Sequence, residues 1–168
     1  EVKAPLNGTI ENISDITGQV IISEDPYPIE IDAYIPGKVN NILANEGVTI
    51  SSQGTFIQGI IGIGGEKKGE IKIISKNFNG IYDVNNNHKG KIIVLKSSLL
   101  NDFYVKAKDY GVRGILCGGI DYTTLTNILG YPLGVAITGM EKVVTVVVTE
   151  GFGNIDMSDR TYNLIKKY

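Results

Sequence analysis

The segment Ala4-Pro5-Leu6-Asn7-Gly8-Thr9-Ile10 recurs in altered form as Ala33-Tyr34-Ile35-Pro36-Gly37-Lys38-Val39. The two copies lie 29 residues apart, and Gly18 and Gly47 continue the same spacing. Each copy contains an alanine, a turn with a proline, a glycine, a short apolar strand and a polar turn that ends at a glycine. Two copies of this period are too few for a solenoid, which needs at least about three. The repeat therefore predicts two similar β-hairpin units in the first part of the chain.

Short apolar segments separated by Gly, Pro, Asn and Asp extend this β pattern over residues 1–75. Such punctuation is typical of strands joined by tight turns. The Gly-rich stretch 59–69 lacks the GxGxxG spacing and no helix follows it, so we interpret it as a turn and not as a phosphate loop. Strands are predicted at residues 8–13, 18–23, 29–33, 37–42, 48–50, 55–61 and 70–74.

Residues 77–90 are Asn-rich turn material and predict a linker. We expect Phe78 and Tyr82 to fix this linker to one side. The predicted division of the chain is therefore a domain at 1–76, a linker at 77–90 and a second domain at 91–168.

The second domain alternates strand and helix patterns, in the order β-α-β-α-β-β-α. This order predicts a small, mostly parallel sheet with helices packed on it. Strands are predicted at residues 91–95, 112–117, 133–138 and 143–149. Helices are predicted from Ser97 or Ser98 to about Tyr110, from Asp121 to Gly130, and from Asp156 or Ser158 to Lys167, because these residue types cap and end helices.

The repeat in residues 2–50 resembles the biotinyl/lipoyl-carrier domain, and the whole chain resembles an uncharacterised archaeal domain family related to it. The resemblance implies a barrel-sandwich hybrid of two quasi-symmetric halves. The expected fold class is therefore α+β, with an all-β barrel-sandwich hybrid followed by a small α/β part that has a mostly parallel sheet. In carriers, the modified lysine lies on the hairpin tip seven residues before the second alanine of the motif. This position is Pro26, and no lysine lies between Lys3 and Lys38, so we expect no covalent biotin or lipoate and no other cofactor.

Two other families with this hybrid architecture are excluded by their residue requirements. Glucose-type sugar-phosphotransferase carriers need two facing histidines, and lysostaphin-like peptidases need His and Asp ligands for zinc. The chain has one histidine, His88, and one cysteine, Cys117. These residues also leave no Cys/His zinc site, so no metal site is predicted.

The glycine-containing strand ends of the second domain are the candidate ligand site. Ligands of open α/β sheets bind beyond the carboxyl ends of the strands, where free backbone N–H groups can hold an anion. Cys117 as a nucleophile needs a nearby base, and His88 lies in an upstream loop, so no catalytic residue is predicted. The candidate ligand-binding residues are Cys117, Gly118, Gly119, Thr138, Gly139, Glu150 and Gly151. The alternative interpretation is that these are tight turns that need glycine, around a cysteine of the core.

Composition and charge restrict the partners. The 168 residues are 42% apolar and 20% charged, which is ordinary for a globular chain with a core. A net charge of −2 gives no basic field for nucleic acid, and the longest apolar runs are too short to span a bilayer. A single cysteine fits a reducing cytosol, so a cytoplasmic location is expected. The first residue is Glu1 and not Met, as in a piece of a longer protein.

Two functions are compatible with these features. The first is a non-catalytic binding or assembly module with a carrier-like fold that lacks the modifiable lysine. The second is a small-molecule or anion-binding domain, or an enzyme, with a site at the strand ends near Cys117, Thr138 and Glu150. The expected partners are an unidentified protein, which Tyr27 of the acidic hairpin tip could contact, or a small anionic ligand; the oligomeric state is open.

Overall fold

The structure, a computed structural model, describes residues 3–132 and 143–167 and has a mixed α+β fold, as predicted. Its residues divide into two compact units, of which the first ends at Ala33 and the second begins at Tyr34. The strands are β1 (Thr9–Ile13), β2 (Val20–Ser23), β3 (Lys38–Leu43), β4 (Gly47–Ser51), β5 (Ile61–Ile63), β6 (Ile71–Ile74), β7 (Ile92–Leu95), β8 (Gly114–Ile120) and β9 (Thr145–Phe152). The helices are α1 (Asn101–Asp109), α2 (Tyr122–Leu129) and α3 (Asp159–Lys167), and Asn86–His88 form a 3-10 turn.

The internal repeat folds as two antiparallel hairpins, β1-β2 and β3-β4, with the same strand register. Ile10 pairs with Ile22 in the first hairpin, and the equivalent Val39 pairs with Ile50 in the second. In both hairpins the register then shifts at a bulge, before Asn12 in the first and before Asn41 in the second. The sequence repeat is therefore also a structural repeat.

The strand predicted at residues 29–33 is not formed, and the described chain has no strand between β2 and β3. Ile29 and Ile31, whose alternation suggested a half-buried strand, are 80% and 90% exposed. An alternating pattern gives a strand only where another strand completes its backbone hydrogen bonds. Tyr27, in the same segment, is exposed as well.

One five-stranded sheet, in the order β5-β9-β8-β7-β6, organises the second unit. Strands β6 to β9 are parallel to one another, and β5 pairs antiparallel with β9. The strand predicted at 55–61 is not formed over residues 55–60, and the short edge strand β5 shares only Ile61 with it. The Gly-rich stretch that follows it leads into β6 and not into a helix, as expected.

Residues 77–90 connect β6 to β7, which are neighbouring parallel strands of this sheet. This differs from the predicted division into domains at 1–76 and 91–168, because β5 and β6 belong to the same sheet as β7, β8 and β9. Of the two residues expected to fix this connection, Tyr82 packs against the core, whereas Phe78 is 97% exposed.

Both faces of the sheet are covered. On one face, Ile93, Ile115 and Val146 pack in a cluster with buried side chains of α1 and α2. On the other face, Val94 packs with Met157 and with Ile165 of α3. Covered faces explain why the segment around β9 is apolar almost throughout.

The helix boundaries agree with two of the three predicted caps. Asp121 caps α2 by accepting a hydrogen bond from the Thr124 amide, and Gly130 ends the helix with a φ of 78°. Ser158 precedes α3 and accepts from the Thr161 amide. A helix ending at about Tyr110 is confirmed for α1, but its predicted cap was wrong, because the helix begins at Asn101, three residues after Ser98, and its N-cap makes no side-chain hydrogen bond.

The strand predicted at 133–138 lies outside the described residues. No helix among residues 3–132 and 143–167 is long and apolar enough to cross a membrane.

Candidate functional site

A cavity of about 620 Å³ opens at the carboxyl edge of the parallel strands. Ser97 and Ser98 line it after β7, Asp121 lines it after β8, and Gly153 and Asn154 line it after β9. Because the parallel strands end at the same edge, these residues from separate connections converge on one space. The segment after β6 contributes Lys76, Gly80, Ile81 and Tyr82, and the side of α1 contributes Leu100, Asp102, Phe103 and Lys106.

The Tyr82 side chain is fixed in this cavity by hydrogen bonds and by a ring contact. Its hydroxyl oxygen accepts hydrogen bonds from the Ser97 amide at 3.2 Å and from Ser97 Oγ at 3.1 Å. Its ring meets Phe103 edge-to-face, with the two centroids 6.1 Å apart. The hydroxyl bonds and the ring contact together fix one wall of the cavity.

The polar groups on the rest of the lining are also held by local hydrogen bonds. Ser98 Oγ donates to Asn154 Oδ1 at 2.7 Å, which ties the connection after β7 to the one after β9. Asp121 accepts from the Thr124 amide at 2.8 Å and from Thr124 Oγ1 at 2.6 Å. These hydrogen bonds hold the pKa of the Asp121 carboxyl below its usual range, so the carboxylate is charged at neutral pH.

A second cavity of about 250 Å³ shares Lys76, Tyr82 and Ser97 with the first. It is also lined by Lys96, Asp156 and Tyr162. The shared residues therefore lie at the junction of the two cavities.

The cations near this junction differ in their partners. Lys96 Nζ lies 2.6 Å from Asp159 Oδ1, and this hydrogen bond raises the pKa of Lys96 and lowers the pKa of Asp159. The Lys76 ammonium lies 5.5 Å from the centroid of the Tyr82 ring. Lys76 has no carboxylate partner within the described part of the chain.

The predicted site residues at the end of β8 are buried under the edge and do not line either cavity. The Cys117 thiol is fully buried, with Sγ 3.8 Å from the Val147 carbonyl oxygen, and burial raises its pKa to about 12. A Cβ on Gly118 would clash with the backbone of residues 155–157, and one on Gly119 would clash with the Gly153 carbonyl. Both glycines lie within β8 without a positive φ and permit close backbone packing, so they are not the tight turns of the alternative interpretation, whereas the buried Cys117 is the core cysteine that it proposed.

The predicted residues at the end of β9 have structural contacts too. The Glu150 carboxylate accepts a hydrogen bond from the Ser158 amide at 2.9 Å, where the chain enters α3. Gly151 is buried and has a φ of 141°. Thr138 and Gly139 lie outside the described residues.

The cavity opens at the sheet edge that the sequence analysis proposed for a ligand, but none of the described predicted site residues lines it. Asn154 lies three residues after Gly151, the last of the predicted site residues. Lys76 and Tyr82 were assigned to a domain boundary, and no local signal showed that β6 joins the parallel sheet.

No group of three or more His, Cys, Asp or Glu side chains that could hold a metal ion occurs in the described ranges. No protein-family model matches the chain, and no curated protein or solved structure is significantly similar to it.

Proposed function

We propose that this chain is a non-catalytic binding module whose ligand, a small organic molecule, binds in the cavity at the carboxyl edge of the sheet. The observation that carries this proposal is the convergence of three strand connections on one space of about 620 Å³. Small-molecule sites typically measure about 300–1,000 Å³ and lie at this edge in open α/β sheets.

The lining supports an organic ligand. Leu100, Phe103 and Ile81 supply apolar surface, and Ser98 and Asn154 supply hydrogen-bonding groups. A few polar groups placed on an apolar wall are the usual composition of a site that orients a small molecule.

The state of the candidate reactive groups supports binding over catalysis. A thiol with a pKa of about 12 is protonated at neutral pH, and Cys117 is buried away from the cavity. The Glu150 carboxylate already accepts the Ser158 amide hydrogen. Cys117 therefore lacks the accessibility that a nucleophile needs, and Glu150 lies outside the lining of the cavity, where a general base for a bound ligand would have to be.

A thermal-shift screen with nucleotides, sugar phosphates, carboxylic acids and their neutral analogues tests the proposal. A ligand that binds only the folded chain raises the melting temperature. Leu100→Trp should abolish the shift because Leu100 lines the cavity and is 62% exposed, which lets the larger side chain enter it. Val105→Trp is the matched control, since Val105 lies on α1 but outside the cavity lining and is 47% exposed. A shift that Leu100→Trp leaves intact would place the ligand elsewhere and contradict the proposal.

We further propose that the two hairpins are the halves of a degenerate barrel-sandwich hybrid without covalent biotin or lipoate. Their common register and their bulges at equivalent positions support a duplicated unit. Gly8 and Gly37 add to this support, because a Cβ on either would clash with the carbonyl of the equivalent serine, Ser23 or Ser51. Pro26 at the carrier position supports the absence of the attached group, because proline has no amine to acylate.

Assembly with a protein partner is the second candidate function. Its support is the exposure of large apolar side chains at equivalent strand positions of both hairpins, Ile10, Ile13, Val39 and Ile42, each more than half exposed. Exposed apolar surface of this kind is typical of interaction sites. Sedimentation velocity over a range of concentrations tests self-association as one form of assembly.

We propose a cytosolic location on the basis of the single cysteine, and no nucleic-acid partner on the basis of the net charge of −2.

A further inference from the structure

We infer that the ligand of the large cavity is an organic anion whose acidic group binds between the Lys76 ammonium and the hydroxyl groups of Tyr82 and Ser97. This inference rests on the proposed function, because it assigns a ligand chemistry to the same cavity.

The lining of the cavity carries two lysines, Lys76 and Lys106, and two carboxylates, Asp102 and Asp121. Asp121 is engaged by Thr124 at the start of α2. Asp102 and Lys106 lie four residues apart on α1 but form no ion pair in the described part of the chain. Lys76 is the lysine of this lining that lies beside the Tyr82 ring.

The surroundings of Lys76 satisfy its ammonium only in part. An ammonium has three hydrogen-bond donors, and the Tyr82 ring face offers an electrostatic contact but no lone pair. Lys76 lines both cavities, so its charge is available to a group bound at their junction. A ligand with an anionic group at this place gains a charge-assisted hydrogen bond that a neutral ligand lacks.

The Tyr82 hydroxyl adds a second donor at the same junction. Its oxygen accepts from the Ser97 amide, and the Tyr82 and Ser97 hydroxyls share a hydrogen bond in which either can donate, so that one hydroxyl hydrogen of the pair is left for a ligand. That hydrogen can therefore point into the cavity. Ser97 is only 7% exposed. Its hydrogen bond to the Tyr82 hydroxyl fixes the position of the phenol.

Two donors and a positive charge select an acceptor-rich, negatively charged group such as a carboxylate, sulfonate or phosphate. Leu100, Phe103 and Ile81 on the remaining wall select an apolar body. The ligand class is therefore an apolar molecule with one acidic group.

A matched pair of fluorescent probes tests this inference on the full chain. Anilinonaphthalene sulfonate and phenylnaphthylamine share their ring system and differ by the sulfonate. Wild type should bind the sulfonate about five- to tenfold more tightly than the neutral probe, the effect of one partly exposed charge-assisted hydrogen bond. Lys76→Met should remove this preference by weakening the sulfonate alone, and Tyr82→Phe, which keeps the ring contacts, should reduce the preference about threefold.

Two control variants separate the inference from the proposed function. Lys38→Met removes an exposed lysine from β3 and should leave both affinities unchanged; a loss equal to that of Lys76→Met would reveal general charge attraction and overturn the inference. Leu100→Trp should weaken both probes, and its failure to do so would contradict the proposed site itself. If Leu100→Trp weakens both probes while Lys76→Met leaves their ratio unchanged, the cavity binds ligands but the assignment of an anion is wrong. Melting temperatures within a few degrees of wild type verify that each variant is folded.

Discussion

Gly118 of β8 lies directly against the backbone of residues 155–157. A side chain there would require the segment between β9 and α3 to move. That segment is fixed by the Glu150 carboxylate at the Ser158 amide and by the Met157 amide at the Lys96 carbonyl. Close packing of these two backbone segments therefore requires glycine at position 118.

We predict that Gly118→Ala lowers the free energy of unfolding by roughly 2–3 kcal/mol, because overpacking a well-packed site displaces backbone. Urea unfolding followed by circular dichroism measures the change. Gly54→Ala is the matched control, since a Cβ there meets no atom within 4 Å and the residue is exposed. Equal unfolding midpoints for the two variants would show that the backbone at residues 155–157 yields without cost.

Among single residues, those with local roles could be predicted from the sequence. Asp121 and Gly130 are recognisable as caps because the hydrogen bonds and the left-handed conformation involve neighbours within four residues. Cys117 and Glu150 could not be assigned in the same way. Their burial and hydrogen bonds depend on residues that are distant in the chain or that belong to the next element.

At the scale of elements, the two hairpins were predicted well because the register of a hairpin follows from its turn and its apolar pattern. The strand expected at 29–33 is not formed. An alternating pattern gives a strand only beside a partner strand, and no strand of the described chain pairs with this segment. The connection from β2 to β3 is consequently an exposed segment with prolines at its tip.

We predict that the chain carries no covalent biotin or lipoate when it is produced in cells that contain both ligases. Pro26 occupies the carrier position, and the segment offers no lysine between Lys3 and Lys38. The intact mass should equal the mass of the sequence. A protein with the same preparation history and an authentic carrier lysine serves as the positive control, and an adduct on this chain would contradict the prediction.

At the scale of the whole molecule, the parallel order of the last strands could be predicted from the alternation of strands and helices, and the positions of β5 and β6 could not. β5 pairs with β9 about 85 residues further along the chain, as in Ile61 with Val148. No local pattern encodes such a pairing. The cavity was missed in part for this reason, because one of its walls comes from the segment after β6.

The same topology makes the predicted linker at 77–90 a poor site for proteolysis. Residues 77–90 contain Asp83, but the neighbouring Val84 is buried, and Tyr82 and His88 are held by Ser97 and by the Asn85 cap. Residues 24–36 are exposed throughout, form no helix or strand, and contain the division between the two units. Proteases cut where an exposed backbone can adopt an extended conformation in the enzyme's cleft.

We predict that a glutamate- and aspartate-specific protease cuts first within residues 24–36, after Glu24, Glu30 or Asp32, and cuts the parallel strands of the five-stranded sheet much later. The covered faces protect these strands, since cleavage inside them requires the core to open. Mass spectrometry of a time course identifies the first product. Asp83 is the internal comparison, because the same protease can cut there. A first cut after Asp83 would mean that the β6–β7 connection opens independently of the sheet, and the predicted boundary at 77–90 would then describe the chain better than the division at Ala33.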